Sequence, residues 1–153
     1  RIEYLACGLE CRIVFLDHLS ILLSGLDGDE RRMIDTTMTK LRSLVERTGI
    51  TLFLVSHLRR SNNDRTSHEE GGKVSLSQLR GSHSIAQLSD QVIALERDQQ
   101  SENDRDVTTL RIIKNRYSGE TGFAGKIKYN LSTSRFTEHE TETTPIFDPS
   151  SDF

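Results

Sequence analysis

Two short apolar runs on either side of one amphipathic segment constrain the fold of this chain more than any other feature. The runs are Ile13–Leu16 and Ile50–His57, and both are too short for a helix and rich in residues that favour buried strands. Between them, five apolar residues recur at helical spacing, namely Met33, Ile34, Met38, Leu41 and Val45. Gly49 follows in the position that glycine usually takes at the C-terminal end of a helix. Strand, helix, strand is a βαβ unit, which predicts two parallel strands.

Each apolar run is followed by polar residues, and this places a candidate site. Asp17 and His18 follow the first run, and Ser56 and His57 end the second. In open α/β sheets, ligands bind at the carboxyl ends of the parallel strands, so we expect Asp17 and His57 to face one crevice. Polar residues that cap the next element would give the same pattern.

The rest of the chain predicts an α/β fold: a mostly parallel central sheet flanked by helices, with antiparallel hairpins at the C-terminal end. Residues 58–75 form a polar loop, and "SLSQLRGSHSIAQLSD" predicts a short helix interrupted at Gly81. Four further segments predict strands, namely "QVIALE", "VTTLRIIKN", "FAGKIKYN" and "SRFTE".

Charge divides the chain into a body, residues 1–136, and an acidic tail, residues 137–153, that we expect to be disordered. The tail holds five acids and no Lys or Arg, which leaves 20 basic against 18 acidic residues in the body. A faintly basic body with an acidic tail is typical of proteins that bind nucleic acid, although a solubilising tail looks the same. No apolar run is long enough to span a bilayer, and the two cysteines are too few for a zinc site.

An apolar strand that ends in Asp is the Walker B pattern, in which the carboxylate serves the Mg²⁺ bound to a nucleotide's phosphates. Its companion, the phosphate-binding G-x-x-x-x-G-K-[ST] loop, is absent, because "EEGGKVS" and "GFAGKIK" lack the upstream Gly and the Ser or Thr. In the usual order of these motifs the missing loop would lie before Arg1.

Four long stretches carry a more specific resemblance: "IVFLDHLSILLS", "DERRMIDTTMTKLRSLVERTGITLFLVSHLRR", "SHEEGGKVSLSQLRGSHSIAQLSDQVIALERDQQ" and "IIKNRYSGETGFAGKIKYN". Over residues 1–136 the chain resembles the C-terminal helicase domain of the bifunctional primase–helicases of T-odd podoviruses. These are relatives of DnaB and Twinkle with a RecA-like core.

The resemblance implies roles at the nucleotide. Asp17 would serve Mg²⁺, and His57 would sense the γ-phosphate of an NTP, ATP or dTTP. Arg116 resembles the arginine finger that reaches a neighbouring subunit's nucleotide, with Lys114 as a supporting cation on the same strand face. Arg97 and Tyr129 resemble the pair that holds the nucleotide base by cation–π and stacking contacts.

The resemblance also implies a set of residues that face single-stranded DNA, suited to neutralising phosphates without reading bases; they are Arg59, Arg60, Arg65, Lys73, Arg80, Gly81 and Ser82. Gln87 would couple these residues to the nucleotide. The chain departs from the family at Ala86, where the family has a basic residue, which puts the grip on DNA or its coupling in doubt.

The resemblance therefore implies part of a homo-hexameric, NTP-driven replicative helicase that moves 5′ to 3′ on single-stranded DNA in the cytoplasm of an infected bacterial host. The acidic tail, ending in Phe153, would dock the replicative DNA polymerase. We expect the 153-residue piece alone to be inactive because the phosphate-binding loop is absent. The alternatives are another RecA-fold DNA-dependent ATPase, such as a recombinase or mediator, and a non-catalytic module that binds DNA or polymerase.

Overall fold

The computed structural model describes residues 1–23, 28–59, 67–79 and 83–139. Its elements in chain order are α1 (Ile2–Gly8), β1 (Ile13–Leu16), α2 (Leu19–Leu23), α3 (Glu30–Thr48), β2 (Thr51–Leu54), a 3₁₀ turn (Leu76–Gln78), α4 (His83–Leu88), β3 (Gln91–Glu96), β4 (Val107–Asn115), β5 (Gly122–Asn130) and β6 (Arg135–Glu138). They form two compact units: the first holds the described residues up to 59 and those of Ser75–Val92, and the second holds 67–74 and 93–139.

The predicted βαβ unit is present in the first unit. β1 and β2 pair in parallel, with Ile13 opposite Thr51 and Leu16 opposite Leu54. The second strand is shorter than predicted, because the ladder ends three residues before His57. Parallel pairing brings both carboxyl ends to the same edge of the sheet, which is the feature that places the candidate site.

Helix α3 begins and ends where its sequence provides caps. The side chain of Asp29 accepts a hydrogen bond from the amide of Arg31 at 2.9 Å, which satisfies one of the open amides of the first turn. Gly49 ends the helix in the left-handed conformation, with φ 69°, and its amide donates to the carbonyl of Val45. The strand β2 begins two residues later, so the turn between helix and strand is tight.

The buried face of α3 forms the core of the first unit, together with side chains from α2, α4 and the segment before α4. The buried members are Leu19, Leu23, Ile34, Met38, Leu41, Leu79 and Ile85. Ala86 packs against this cluster as a partly buried residue. The departure from the family at this position therefore lies beside the core.

The prediction that β1 and β2 are buried strands was wrong for one of their faces. Ile13, Phe15 and Phe53 are 59%, 73% and 45% exposed, and the rings of the two phenylalanines stack at 4.7 Å. The opposite face meets the core through Leu52 and Leu54. Strand residues point alternately to the two faces, and within the described chain only one of these faces is covered.

The second unit contains a four-stranded sheet in the order β3-β4-β5-β6. β4 pairs antiparallel with β5, and β5 pairs antiparallel with β6, which confirms the predicted hairpins. A register shift interrupts the first pairing between Leu110 and Arg111. The last strand runs through Glu138, two residues past the boundary predicted at 136.

None of the helices in the described part of the chain is long and apolar enough to cross a membrane.

Candidate functional site

The ends of β1 and β2 place Asp17 and His57 at one edge of the parallel sheet. The amide of Val55 donates to the carbonyl of Leu16 at 3.0 Å, and the amide of Leu19 donates back to the carbonyl of Val55 at 3.0 Å. These bonds hold the chain beyond β2 beside the turn that carries Asp17. Asp17 and His57 are both exposed, as residues that meet a ligand must be.

A second histidine joins this edge. The ring of His18 meets the ring of His57 edge to face, with centroids 4.2 Å apart and an interplanar angle of 69°. Nδ1 of His18 is buried and has no hydrogen-bond partner within the described chain. Sequence reasoning assigned no role to His18, although its position directly after Asp17 was the available signal.

The donor set at this edge suits Mg²⁺ only in combination with other ligands. No group of three His, Cys, Asp or Glu side chains within the described ranges lies close enough to hold a metal ion. Mg²⁺ is usually held by one or two carboxylates while phosphates and waters complete its octahedron. The single exposed carboxylate of Asp17 fits that mode, and a cage built from protein ligands alone does not.

Two further predicted residues lie in the first unit. Arg59 is exposed, and its amide donates to the carbonyl of Gln78 at 2.7 Å, next to a bridge between Leu58 and Leu79. Gln87 is exposed on α4. The backbone contacts place Arg59 beside the end of the segment that leads to residue 80. The predicted DNA-facing residues Arg60, Arg65, Arg80, Gly81 and Ser82 lie outside the described residues, as does Phe153.

Lys73 lies in the second unit, in a segment attached to the end of β3. Lys73 is exposed, whereas its neighbours Gly72 and Val74 are buried. The amide of Val74 donates to Oε1 of Glu96 at 2.6 Å. The Lys73 side chain is therefore open to solvent on a backbone that is held in place.

Arg97 and Tyr129 both belong to the region of the four-stranded sheet. Arg97 is exposed and lies directly after the last residue of β3. Tyr129 lies on β5, next to Lys128, which pairs with Val107 of β4. Because neighbouring strand residues alternate, Tyr129 points to the sheet face opposite to that of Lys128. Tyr129 is half-buried and its ring lies 5.1 Å from the ring of Phe136 on β6.

Lys114 and Arg116 were predicted on one strand face, and this prediction was wrong for Arg116. β4 ends at Asn115, so Lys114 is a half-buried strand residue, while Arg116 is exposed in the turn that follows. Oδ1 of Asn115 accepts the amide of Tyr117 at 3.1 Å, and its Nδ2 donates to Oγ of Ser118 at 2.8 Å. An Asx turn begins at Asn115, the last residue of the predicted strand, and so leaves Arg116 outside the strand.

The structure thus groups the predicted residues by unit. The predicted residues of the first unit are Asp17, His57, Arg59 and Gln87. Of these, Asp17 and His57 lie at the neighbouring ends of β1 and β2. In the second unit the structure places Arg97 directly after β3 and Tyr129 on β5; the predicted residues of this unit are Lys73, Arg97, Lys114, Arg116 and Tyr129.

Three polar residues near these positions were missed by the sequence reasoning, namely His18, Glu96 and Asn115. Glu96 follows four apolar residues in "QVIALE", and Asn115 stands three residues before Ser118. An acid at the end of an apolar strand and an Asn at the start of a turn are the signals that were available.

The model of the DnaB-like helicase C-terminal domain family matches residues 4–138. The chain belongs to this family. The match includes Asp17, His57 and the whole four-stranded sheet, so both units lie within one family domain.

Individual relatives agree with this membership. The chain is 42% identical over 134 residues to a DNA helicase/primase of Enterobacteria phage T3. That alignment covers 87% of the chain and 23% of the relative, so the chain spans about a quarter of that protein's length.

Solved structures show the same fold. One is the structure of a DnaB-like replicative helicase, described together with its interactions with primase. It matches with a TM-score of 0.66 at 20% identity, over 84% of this chain and 30% of that one. Another, an ATPase domain, matches with a TM-score of 0.64 at 22% identity, over 84% of this chain and 44% of that one. The fold is therefore that of RecA-like helicase ATPase domains, as predicted.

Proposed function

We propose that this chain is part of a homo-hexameric, NTP-driven replicative helicase that moves 5′ to 3′ along single-stranded DNA. Membership of the DnaB-like helicase family and the likeness to a phage helicase/primase support the proposal. The observation that carries it is the placement of Asp17 and His57 at the same edge of two parallel strands. That edge is where α/β folds bind their ligands.

At the nucleotide, Asp17 holds a water shell of Mg²⁺, and the ion when bound neutralises charge on the phosphates. His57 donates a hydrogen bond to the γ-phosphate and distinguishes the triphosphate from the diphosphate. His18 supports the His57 ring through their edge-to-face contact. Arg97 and Tyr129 hold the base of ATP or dTTP between a guanidinium and an aromatic ring.

Arg116 acts on the nucleotide of the neighbouring subunit. Arg116 is exposed in the turn between β4 and β5. From such a turn a guanidinium can contact a neighbouring subunit. Lys114 adds a second positive charge on the strand behind it. Charge that builds on the transferred phosphoryl group is neutralised by such a finger, whose removal costs about 10³–10⁵ in rate.

DNA contacts come from both units. Arg59 and Lys73 are exposed cations in the described parts of the chain between β2 and the 3₁₀ turn. We assign phosphate contacts to them and to five further residues, Arg60, Arg65, Arg80, Gly81 and Ser82. Gln87 on α4 couples the strand to the nucleotide.

Residues 137–153 dock the replicative DNA polymerase through Phe153, and the protein works in the cytoplasm of an infected bacterial host. The 153-residue chain by itself lacks a G-x-x-x-x-G-K-[ST] loop and has no NTPase activity. Turnover by the isolated chain would contradict this assignment.

The test is strand displacement by the full-length protein on forked DNA. With NTP and Mg²⁺, we expect unwinding of a fork that has a 5′ single-stranded tail and none of a duplex with only a 3′ tail. The Asp17→Asn variant is the matched control and should unwind neither. Homologous strand exchange without unwinding would identify a recombinase, and DNA binding without hydrolysis would identify a non-catalytic module.

A further inference from the structure

Glu96 is the one charged residue in the buried class among the described residues. It ends β3, and its side chain is 5% exposed. Burying a carboxylate is unfavourable unless hydrogen bonds and a counter-charge replace the water that it loses. The partners of Glu96 therefore indicate what this burial accomplishes.

The two carboxylate oxygens of Glu96 bind different parts of the second unit. Oε1 accepts the backbone amide of Val74 at 2.6 Å. Oε2 accepts from the guanidinium of Arg111 on β4 in a charge-assisted hydrogen bond. One side chain thus joins a loop segment, the end of β3 and the middle of β4.

Three further contacts attach the same loop segment to the chain beyond β3. The amide of Gln99 donates to the carbonyl of Glu69 at 2.9 Å, and Glu70 forms an isolated bridge with Asp98. Gly71 has a φ of +76°, and a Cβ atom built on it would lie 3.2 Å from Cβ of Asp98. Residues 69–74 are consequently held against residues 96–99 along their length.

Each of the three segments that Glu96 joins contains or adjoins a residue with a proposed role. Lys73, a DNA contact, precedes Val74. Arg97, a contact to the nucleotide base, follows Glu96. Arg111 lies three residues before Lys114 on β4, the strand that ends at the turn of Arg116. A shift of the Lys73 backbone must therefore either break the bond between Val74 and Glu96 or move the end of β3.

We propose that Glu96 is a positioning residue that transmits single-stranded DNA binding at the segment of Lys73 to Arg97 and to β4, and so to nucleotide hydrolysis. This inference rests on the proposed helicase function. Arg111 completes the link because its charge-assisted hydrogen bond attaches the carboxylate of Glu96 to β4. The side chain of Glu96 contacts neither DNA nor nucleotide in this role.

The test compares full-length variants by the ratio of NTP hydrolysis with single-stranded DNA to hydrolysis without it. Glu96→Gln keeps an acceptor for the Val74 amide and removes the charge that faces Arg111. The double variant Glu96→Gln/Arg111→Met removes both charges and so avoids a buried unpaired guanidinium. We expect both variants to keep unstimulated kcat near that of the parent and to lose about fivefold or more of the stimulation ratio.

A matched ion pair elsewhere supplies the control. Arg42 and Asp90 pair at 2.7 Å with side chains that are 27% and 29% exposed, and hydrogen bonds to Glu46 and Asp90 raise the pKa of Arg42. Asp90→Asn should lower the thermal midpoint and leave the stimulation ratio at the parent value. Because Arg97 is assigned to the nucleotide base, its displacement should raise the KM for NTP. A rise in KM in the Glu96 variants but not in Asp90→Asn would distinguish displacement of Arg97 from general loss of stability.

The outcomes separate the two proposals. A parent without DNA-stimulated hydrolysis would overturn the proposed function and this inference with it. A stimulated parent whose Glu96 variants keep the parent ratio would overturn the inference alone, as would an equal loss of stimulation in Asp90→Asn. If the single variant does not assemble, the double variant decides by the same criteria.

Discussion

The rings of His18 and His57 lie edge to face with centroids 4.2 Å apart, although 39 residues separate them in the chain. The contact exists because β1 and β2 run parallel and in register, so the residues beyond both strands meet at one edge. Asp17 lies at the same edge.

Asp17→Asn in the full-length protein should reduce NTP hydrolysis by at least about 100-fold, the loss typical of removing one electrostatic contact at a reacting group. Asparagine keeps the size of the side chain and removes the charge that Mg²⁺ requires. Steady-state kinetics measure the loss, and Asp29→Asn, which changes the cap of α3 but not the site, should retain parental turnover. Full activity of Asp17→Asn would dismiss the Mg²⁺ role.

Arg116→Ala should also abolish hydrolysis, and mixing it with Asp17→Asn should restore part of the activity. If Arg116 acts across subunits, a randomly mixed ring contains intact Asp17 facing intact Arg116 at about a quarter of its interfaces. Hydrolysis measured across mixing ratios tests this expectation, with light scattering to establish that mixed rings form. Rings that form and stay inactive at every ratio would place Arg116 outside the neighbouring site.

Replacing Arg59 and Lys73 with Ala should weaken binding of single-stranded DNA and flatten its salt dependence. Each lost phosphate contact lowers the slope of log K against log salt by about 0.7. Fluorescence anisotropy between low and moderate salt measures the slope. Lys40→Ala, an exposed cation on α3, is the matched control and should leave the slope unchanged; an unchanged slope in the double variant would mean that these residues are merely solvated.

Deleting Phe153 should weaken association with the replicative DNA polymerase and leave unwinding by the helicase alone intact. Acidic residues alone give fast, salt-sensitive encounter, whereas an aromatic ring beside the terminal carboxylate adds a small, defined contact. Surface plasmon resonance at two salt concentrations measures the association. Deletion of Asp152 and Phe153 together is a useful comparison, and equal polymerase binding by all three proteins would rule out docking through this ring.

Truncation of the α3 core should cost far more stability than truncation of its surface. Ile34 and Met38 are 3% and 5% exposed, so replacing either with Ala should lower the free energy of unfolding by about 2–5 kcal/mol. Thr39→Ala, at an exposed position on the same helix, should cost less than about 1 kcal/mol. Thermal midpoints from calorimetry provide the comparison, and equal midpoints for core and surface variants would contradict the observed packing.

The sequence by itself determined the local elements and the family. The helical spacing from Met33 to Val45 and the position of Gly49 correspond to α3, because propensity, periodicity and capping act within a few residues. The predicted strands of both units are present for the same reason. The fold class also followed, since a helix that joins two short apolar strands is the usual connection between parallel neighbours.

Only the tertiary structure decided which side chains meet and which faces are covered. Phe15 and Phe53 fit the pattern of buried strand residues, yet they are exposed, because burial depends on what packs on each face of the sheet. Arg116 lies in a turn and not on a strand because Asn115 bonds to the backbone that follows it. The contacts of His18 with His57 and of Glu96 with Val74 and Arg111 join residues that are far apart in the chain, and no local pattern encodes such pairs.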